Sequence, residues 1–148
     1  MCTETLIKIF NRDLNKLKIE IKAYKDEKTL WVLKDGISNS AGNLCLHIVG
    51  NLNHFIGAEF GNTGYIRQRN LEFSLKDVPK TELIKKINET IIVVENALKF
   101  LTAEDLQKEY SRRAFEEKMT TEFFITHLAS HLAYHLGQIN YHRRLIDL

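Results

Sequence analysis

The single proline of this 148-residue chain, Pro79, is the feature that most limits the folds open to it. Domains built from many short strands need frequent turns, and turns are rich in proline and glycine. This chain has only seven glycines beside its one proline, which favours long uninterrupted helices over a sandwich of strands. Its length suits one domain with one core, so we predict a single all-α domain over residues 1–148.

Four segments carry the apolar period of amphipathic helices. They cover residues 4–25, 41–60, 81–101 and 121–147. Ser40, Thr81 and either Thr120 or Thr121 are the predicted N-caps of the last three, because their side chains can accept from free backbone N–H groups. The short piece 29–33 is expected to be extended. Residues 102–119 fit a short helix from residue 103 or a loop equally well.

The connection between the second and third helices, residues 61–80, shows no helical period. It is long enough to run back along a helix, so the two helices that it joins can be parallel. We therefore predict a four-helix bundle with a long crossover between helices 2 and 3.

Charge and composition limit the partners that we expect. The net charge of +2 is too small to indicate nucleic-acid binding. We find no apolar run that would span a bilayer and no signal peptide at the start, so we expect a cytoplasmic protein without a membrane partner. The two cysteines, Cys2 and Cys45, provide no disulfide framework, and Cys45 is expected to be a small buried side chain.

A row of histidines near the C-terminus, His127, His131 and His135, is the strongest functional signal. Residues four apart lie on one helix face, and two imidazoles at this spacing can reach one metal ion. His47, in the second predicted helix, is the first candidate for a third ligand. Spacing alone leaves two interpretations open, a metal site and a hydrogen-bonded core cluster of histidines.

The remaining histidines fit this site less well. His127 is expected to support the site or to pack, because the helix face drifts by about 40° at each four-residue step. His54 and His142 lie two turns after His47 and His135, too far to share an ion with them. Both are expected to be satisfied by hydrogen bonds or to lie on the surface.

Several other side chains are candidates around the ion, but the pattern identifies no catalytic residue. Gln138 could orient His135 or a bound ligand, or could be a polar residue of helix packing. Three residues of the crossover could close over the site and hold a carboxylate of a cosubstrate, or could be exposed loop residues; these are Tyr65, Arg67 and Arg69. Glu59 and Glu72 are possible general bases, although a helical glutamate is most often solvated.

The histidine segments resemble a known family. Segments 131–138 (HLAYHLGQ) and 141–146 (YHRRLI) are similar to the last-helix signature of the DinB-like superfamily. Segments 40–57 (SAGNLCLHIVGNLNHFIG) and 64–73 (GYIRQRNLEF) are similar to one uncharacterised branch of it. The resemblance covers most of residues 38–82 and 120–146.

The resemblance implies a DinB/YfiT-like fold, an up-down-down-up four-helix bundle. It implies one divalent ion, usually zinc or nickel, bound by His47, His131 and His135. Characterised relatives are transferases and isomerases that use bacillithiol, mycothiol or related thiols, and many are homodimers. Leu136 stands where many relatives carry arginine, which leaves the substrate open.

The leading functional hypothesis is a metal-dependent enzyme that activates a small thiol for transfer to an electrophile, with hydrolysis by an activated water as a close variant. Its partner would be a small-molecule substrate. One alternative is a binding or sensor protein with a structural metal. Another is an interaction module that acts through its dimer face.

Overall fold

The computed structural model describes residues 3–112 and 115–148, and their secondary structure is helical apart from one isolated bridge between Glu109 and Thr120. The α-helices are α1 (Thr3–Ala23), α2 (Ala41–Leu52), α3 (Arg69–Ser74), α4 (Lys80–Leu98), α5 (Ala103–Gln107) and α6 (Thr121–Ile146). A 3-10 helix (Glu27–Trp31) follows α1, and a π-helix (Asn53–Ala58) continues α2. The all-α prediction is confirmed.

The long helices α1 and α4 pack side by side in opposite directions. Asn11, in the first half of α1, donates to Glu95 near the end of α4, whereas Lys18 donates to Asn88, earlier in α4. At the other face of α1, Glu20 accepts from Arg143 near the end of α6, so α1 and α6 run in the same direction.

Helix α2 also packs against α4 and α6. Asn53 donates to Thr90, and Gly57, one turn later, lies against Val93, so α2 and α4 run in parallel. The connection between them is therefore a crossover of helix length, as the long segment 61–80 allows. The apolar faces of the four long helices form one buried core, and among the described residues no helix has the length and hydrophobicity needed to cross a membrane.

The predicted N-caps of α2 and α6 are confirmed. Ser40 Oγ accepts from Asn43 N at 3.2 Å, and Thr120 Oγ1 accepts from Phe123 N at 3.1 Å. The predicted cap of α4 is wrong, because α4 begins at Lys80, after Pro79. Proline fixes its own φ near the helical value and has no N–H to lose, so a helix can start beside it.

Two further local predictions are corrected. Most of segment 29–33, expected to be extended, lies in the 3-10 helix, whose N-cap Asp26 accepts from Lys28 N at 3.0 Å. The crossover, expected to lack helical structure, contains the six-residue α3. The ambiguous segment 102–119 begins with α5, which Thr102 and Asp105 cap reciprocally.

Candidate metal centre

Three histidine side chains from two helices converge between α2 and α6; His47 is buried, and His131 and His135 are half-buried. His131 Nε2 lies 3.2 Å from His47 Nε2 and 3.0 Å from His135 Nε2. One nitrogen from each ring lies within 4.8 Å of the other two, so the group could hold a metal ion.

Helix geometry explains this convergence. His131 and His135 are one turn apart on α6, and their rings stand at 90° with centres 4.4 Å apart. α2 runs antiparallel to α6, since His47 contacts His131 whereas Phe55, further along, packs against Phe124, earlier in α6. This pairing brings the one histidine of α2 level with the pair on α6.

Burial keeps the two α6 ligands in the neutral form that binds metals. Burial, together with the smaller effects of the neighbouring His135 and His47, lowers the pKa of His131 to about 4. Burial also lowers the pKa of His135. At neutral pH both rings therefore offer a lone pair rather than a proton.

Hydrogen bonds at the far side of two rings fix which nitrogen faces the centre. His47 Nδ1 lies 3.0 Å from Glu72 Oε1, and His135 Nδ1 lies 2.7 Å from Gln138 Oε1. Both oxygens accept, so each Nδ1 carries the proton and each Nε2 presents a lone pair to the centre. The acceptor lone pairs of His47 and His135 both face His131 Nε2, so this donor set fits a metal ion between the three rings and also a hydrogen-bonded cluster in which His131 Nε2 carries the proton.

Glu72 is itself held by an arginine. Arg67 Nε lies 2.9 Å from Glu72 Oε2, and Arg67 Nη2 lies 2.9 Å from Glu72 Oε1. Burial alone would raise the pKa of Glu72, but its contacts with His47 and Arg67 outweigh burial and hold the pKa below its usual value. Arg67 thus keeps the carboxylate ionised, and the carboxylate orients His47.

Glu72 is the functional side chain whose position could not be predicted from the sequence pattern. The signal for it is Gly50, in the last turn of the buried helix α2. A Cβ at residue 50 would lie 2.6 Å from the Glu72 carboxyl carbon, so only glycine leaves room for this carboxylate. A glycine inside a helix that needs no turn indicates a close approach of another group.

The three crossover candidates have different places. Arg67 lies at the site, where its guanidinium pairs with Glu72, and its binding of a cosubstrate carboxylate stays a prediction. The Arg69 guanidinium lies 5.1 Å from the ring centre of Phe73, and that ring centre lies 4.8 Å from the ring centre of His47. Tyr65 is exposed on the crossover.

The other histidines lie outside the cluster. His127 packs against Phe115, and its ring centre is 6.4 Å from that of His131. His142 accepts from Tyr24 Oη at Nδ1 and donates to the Val32 carbonyl at Nε2, with distances of 2.7 and 2.8 Å.

His54 differs from its prediction. It is partly buried, and its Nδ1 is buried without a hydrogen-bond partner among the described residues. It lies in the π-helix that continues α2, and its ring centre is 4.7 Å from that of Phe55.

Cys45 offers no thiolate to the site. Its side chain is fully buried, and burial raises the pKa of its thiol to about 12. A thiol of this kind is neither a nucleophile nor a ligand at neutral pH. Cys2 lies outside the described residues.

A groove of about 910 Å³ lies beside the second half of α6, and one of the three histidines, His135, lines it together with Gln138. Its apolar lining residues are Ile37, Leu44, Tyr134, Tyr141, Leu145 and Ile146. Concave, largely apolar clefts with a few polar groups at one end are typical of small-molecule sites.

The sequence matches a known protein family along almost its whole length. Residues 4–147 match the model of a family described as "Protein of unknown function (DUF1572)". No curated protein matches the chain significantly. Because the family model covers almost the whole chain, the protein belongs to this family of unknown function.

Proposed function

We propose that this protein is a metal-dependent enzyme that transfers the sulfur of a small thiol to an electrophile, or carries out the related hydrolysis. His47, His131 and His135 would hold one divalent ion, zinc or nickel, both of which imidazole suits. The observation that carries the proposal is the convergence of three histidine Nε2 atoms. Three neutral ligands leave a position for a reactant, which is typical of catalytic rather than structural ions.

A divalent ion held by His47, His131 and His135 would lower the pKa of a bound thiol or water and would so supply the reactive anion at neutral pH. In the thiol reaction the S–H proton passes to solvent. The sulfur then forms a bond to the electrophilic carbon, and the leaving group departs with the electrons of the broken bond.

The chain itself supplies orientation and a binding surface. Glu72 and Gln138 hold the rings of His47 and His135, and Arg67 keeps Glu72 ionised. The groove along α6 reaches His135 and could bind the apolar part of an electrophile. None of these roles needs a further acid or base from the protein, since the thiol proton can leave to solvent.

The arrangement of the four long helices supports the resemblance to the DinB-like superfamily. α1 and α6 run in one direction and α2 and α4 in the other, which corresponds to an up-down-down-up bundle. We also propose a cytoplasmic location, where low-molecular-weight thiols are kept reduced.

The test is a thiol screen with metal-loaded protein. Bacillithiol, glutathione, coenzyme A and cysteine are each mixed with a generic electrophile such as monobromobimane, and product formation is followed by fluorescence. We expect one thiol to react at least a hundredfold faster with wild-type protein than without it. His131→Ala should lose this acceleration, whereas His127→Ala, outside the cluster, should keep it.

The screen also separates the alternatives. Protein that binds the ion in the three-histidine site but accelerates no thiol reaction and no ester hydrolysis would favour a metal-binding or sensor role. Acceleration that survives His131→Ala would remove the three-histidine site from the reaction.

A further inference from the structure

A polar side chain without a partner lies one helical turn from the three histidines. Asn51 is 7% exposed, and its Oδ1 is buried with no hydrogen bond to any described residue. The Nδ1 of His54 is buried and unpaired in the same way. Buried polar atoms are nearly always paired, because an unpaired one destabilises the folded protein.

The helix register places Asn51 beside the metal centre. It is four residues after His47 and four before Phe55, so the three side chains share one face of α2 and its continuation. Arg67 spans this face: its Nη2 lies 3.4 Å from His47 Nδ1, and its guanidinium lies 5.6 Å from the ring centre of Phe55. His47 and Phe55 both contact α6, so Asn51 lies between the two helices, next to the cluster.

The fold does not require asparagine at this place. The residues on either side of it in the sequence, Gly50 and Leu52, are apolar, and a leucine has the same branched side-chain skeleton without a polar atom to leave unpaired. The π-helix begins at Asn53, two residues after Asn51, and carries His54. π-helical insertions in α-helices are frequent at functional sites, where they re-aim side chains.

We propose that Asn51 and His54 form a polar subsite that binds a hydroxyl or amino group of the molecule whose reacting atom occupies the three-histidine centre. The Oδ1 of Asn51 would accept from that group, and His54 Nδ1 would complete its hydrogen bonding. Cβ atoms one turn apart are separated by about 5–6 Å, a distance that the chain S–C–C–O can bridge when the sulfur is bound at the centre and the hydroxyl is hydrogen-bonded to Asn51. The metal-binding part of this inference rests on the proposed function.

Two thiols that differ by one hydroxyl group test the subsite. The protein is loaded with Co²⁺, and binding of 2-mercaptoethanol and of ethanethiol is followed by the thiolate-to-cobalt absorption band. We expect wild-type protein to bind 2-mercaptoethanol about five- to tenfold more tightly, the factor that one good hydrogen bond contributes. In Asn51→Leu the ratio should fall to about one, with the affinity for ethanethiol unchanged.

Thermal stability gives an independent measurement. Asn51→Leu removes an unpaired buried amide, so the Tm of the thiol-free protein should rise by a few degrees. Asn53→Leu is the matched control: Asn53 donates to the Val49 carbonyl at 2.8 Å and to Thr90 Oγ1 at 2.9 Å. It should lower the Tm and keep the wild-type preference for 2-mercaptoethanol.

The possible outcomes are distinguishable. Equal affinities of Co²⁺-loaded wild type for the two thiols would overturn the subsite while the metal centre stands. An Asn51→Leu variant that keeps the preference for 2-mercaptoethanol would also overturn the subsite. So would an Asn51→Leu variant whose Tm falls as that of Asn53→Leu does. Failure of the wild type to bind Co²⁺ would overturn the metal centre and the subsite together.

Discussion

Glu72 can reach His47 because residue 50 is glycine and has no Cβ in the space that the carboxylate occupies. Gly50→Ala would place a Cβ 2.6 Å from the Glu72 carboxyl carbon and push the carboxylate off His47. Groups that orient metal ligands typically contribute a factor of about 10–100 in metal affinity. We expect a loss of this size for Zn²⁺, measured by competition with a chelating dye.

Gly137→Ala is the matched control. It makes the same change in α6, two residues after His135, but a Cβ there meets no atom within 4 Å. Alanine is the better helix former, so we expect unchanged metal affinity and a gain of about 0.5–1 kcal/mol in stability. Equal losses of affinity in both variants would contradict a specific role for Gly50.

Glu72→Gln tests the carboxylate itself. The amide keeps the shape of the side chain but loses the charge that pairs with Arg67 and that makes the Nδ1–H of His47 a strong donor. We expect about tenfold weaker Zn²⁺ binding by the same dye titration, and a lower Tm because Arg67 stays buried without its partner.

Glu59→Gln serves for comparison. Glu59 pairs with Arg112 at the end of α2, so this variant also breaks an ion pair, but away from the three histidines. It should keep the wild-type affinity for Zn²⁺. A Glu72→Gln variant that binds Zn²⁺ as Glu59→Gln does would show that the carboxylate does not orient His47.

The candidate ligands could be predicted from the sequence because their spacing expresses helix geometry. His131 and His135 share a face by the four-residue rule, and His47 lies in a segment with the same period. Glu72 could not be placed in this way. Its approach to His47 depends on how the crossover folds back on α2, and no local pattern records that path except the small size of Gly50.

At the scale of elements, the long helices follow from their apolar periods, whereas the short ones depend on distant contacts. The carbonyl groups of Glu72 and Leu75, in and just after α3, accept from Asn43 Nδ2 of α2 at 3.0 and 2.8 Å. A six-residue helix is unstable alone, so it forms only where such contacts exist. This is why α3 was not predictable from its own residues.

The start of the 3-10 helix depends on Asp147, at the other end of the chain. Its carboxylate accepts from Lys25 N at 2.6 Å, Asp26 N at 3.1 Å and Thr29 Oγ1 at 2.9 Å. Burial alone would raise the pKa of Asp147, but these hydrogen bonds outweigh it and lower the pKa. The carboxylate thus ties the segment after α1 to the end of α6.

Asp147→Asn should therefore destabilise the protein in a pH-dependent way. Because the pKa is lower in the folded than in the unfolded protein, the stabilisation is present above the unfolded value of about 4 and is lost as pH falls through the folded value. We expect a loss of about 1–2 kcal/mol at pH 7 and a smaller difference at pH 3, measured by urea unfolding. Asp35→Asn, in an exposed turn, should leave the stability unchanged at both pH values. An equal loss of stability at pH 7 and pH 3 in Asp147→Asn would contradict the role of the charge.

At the scale of the whole molecule, the exposed face of α6 bears on assembly. Tyr134, Tyr141 and Leu145 recur at helical spacing on this face, and each is strongly exposed. Apolar patches of this kind often mark protein interfaces. The homodimer implied by the family resemblance stays a prediction, and this face is the first place to test it.

We expect light scattering to give twice the chain mass of 17.2 kDa for the wild type. Tyr141→Glu should give the mass of one chain, because a charge placed in an apolar interface is costly to bury. Ile92→Glu, on the exposed side of α4, is the control and should stay dimeric. A monomeric wild type, or a dimer that survives Tyr141→Glu, would exclude this interface.

The most direct measurement is the metal content of the protein after dialysis against micromolar Zn²⁺ or Ni²⁺, determined by mass spectrometry together with the helical circular dichroism signal. We predict one ion per chain for the wild type and for His127→Ala. We predict well under one ion per chain for His47→Ala, His131→Ala and His135→Ala, with the helical signal kept. A wild type that binds no ion, or single variants that bind as the wild type does, would contradict the three-histidine centre.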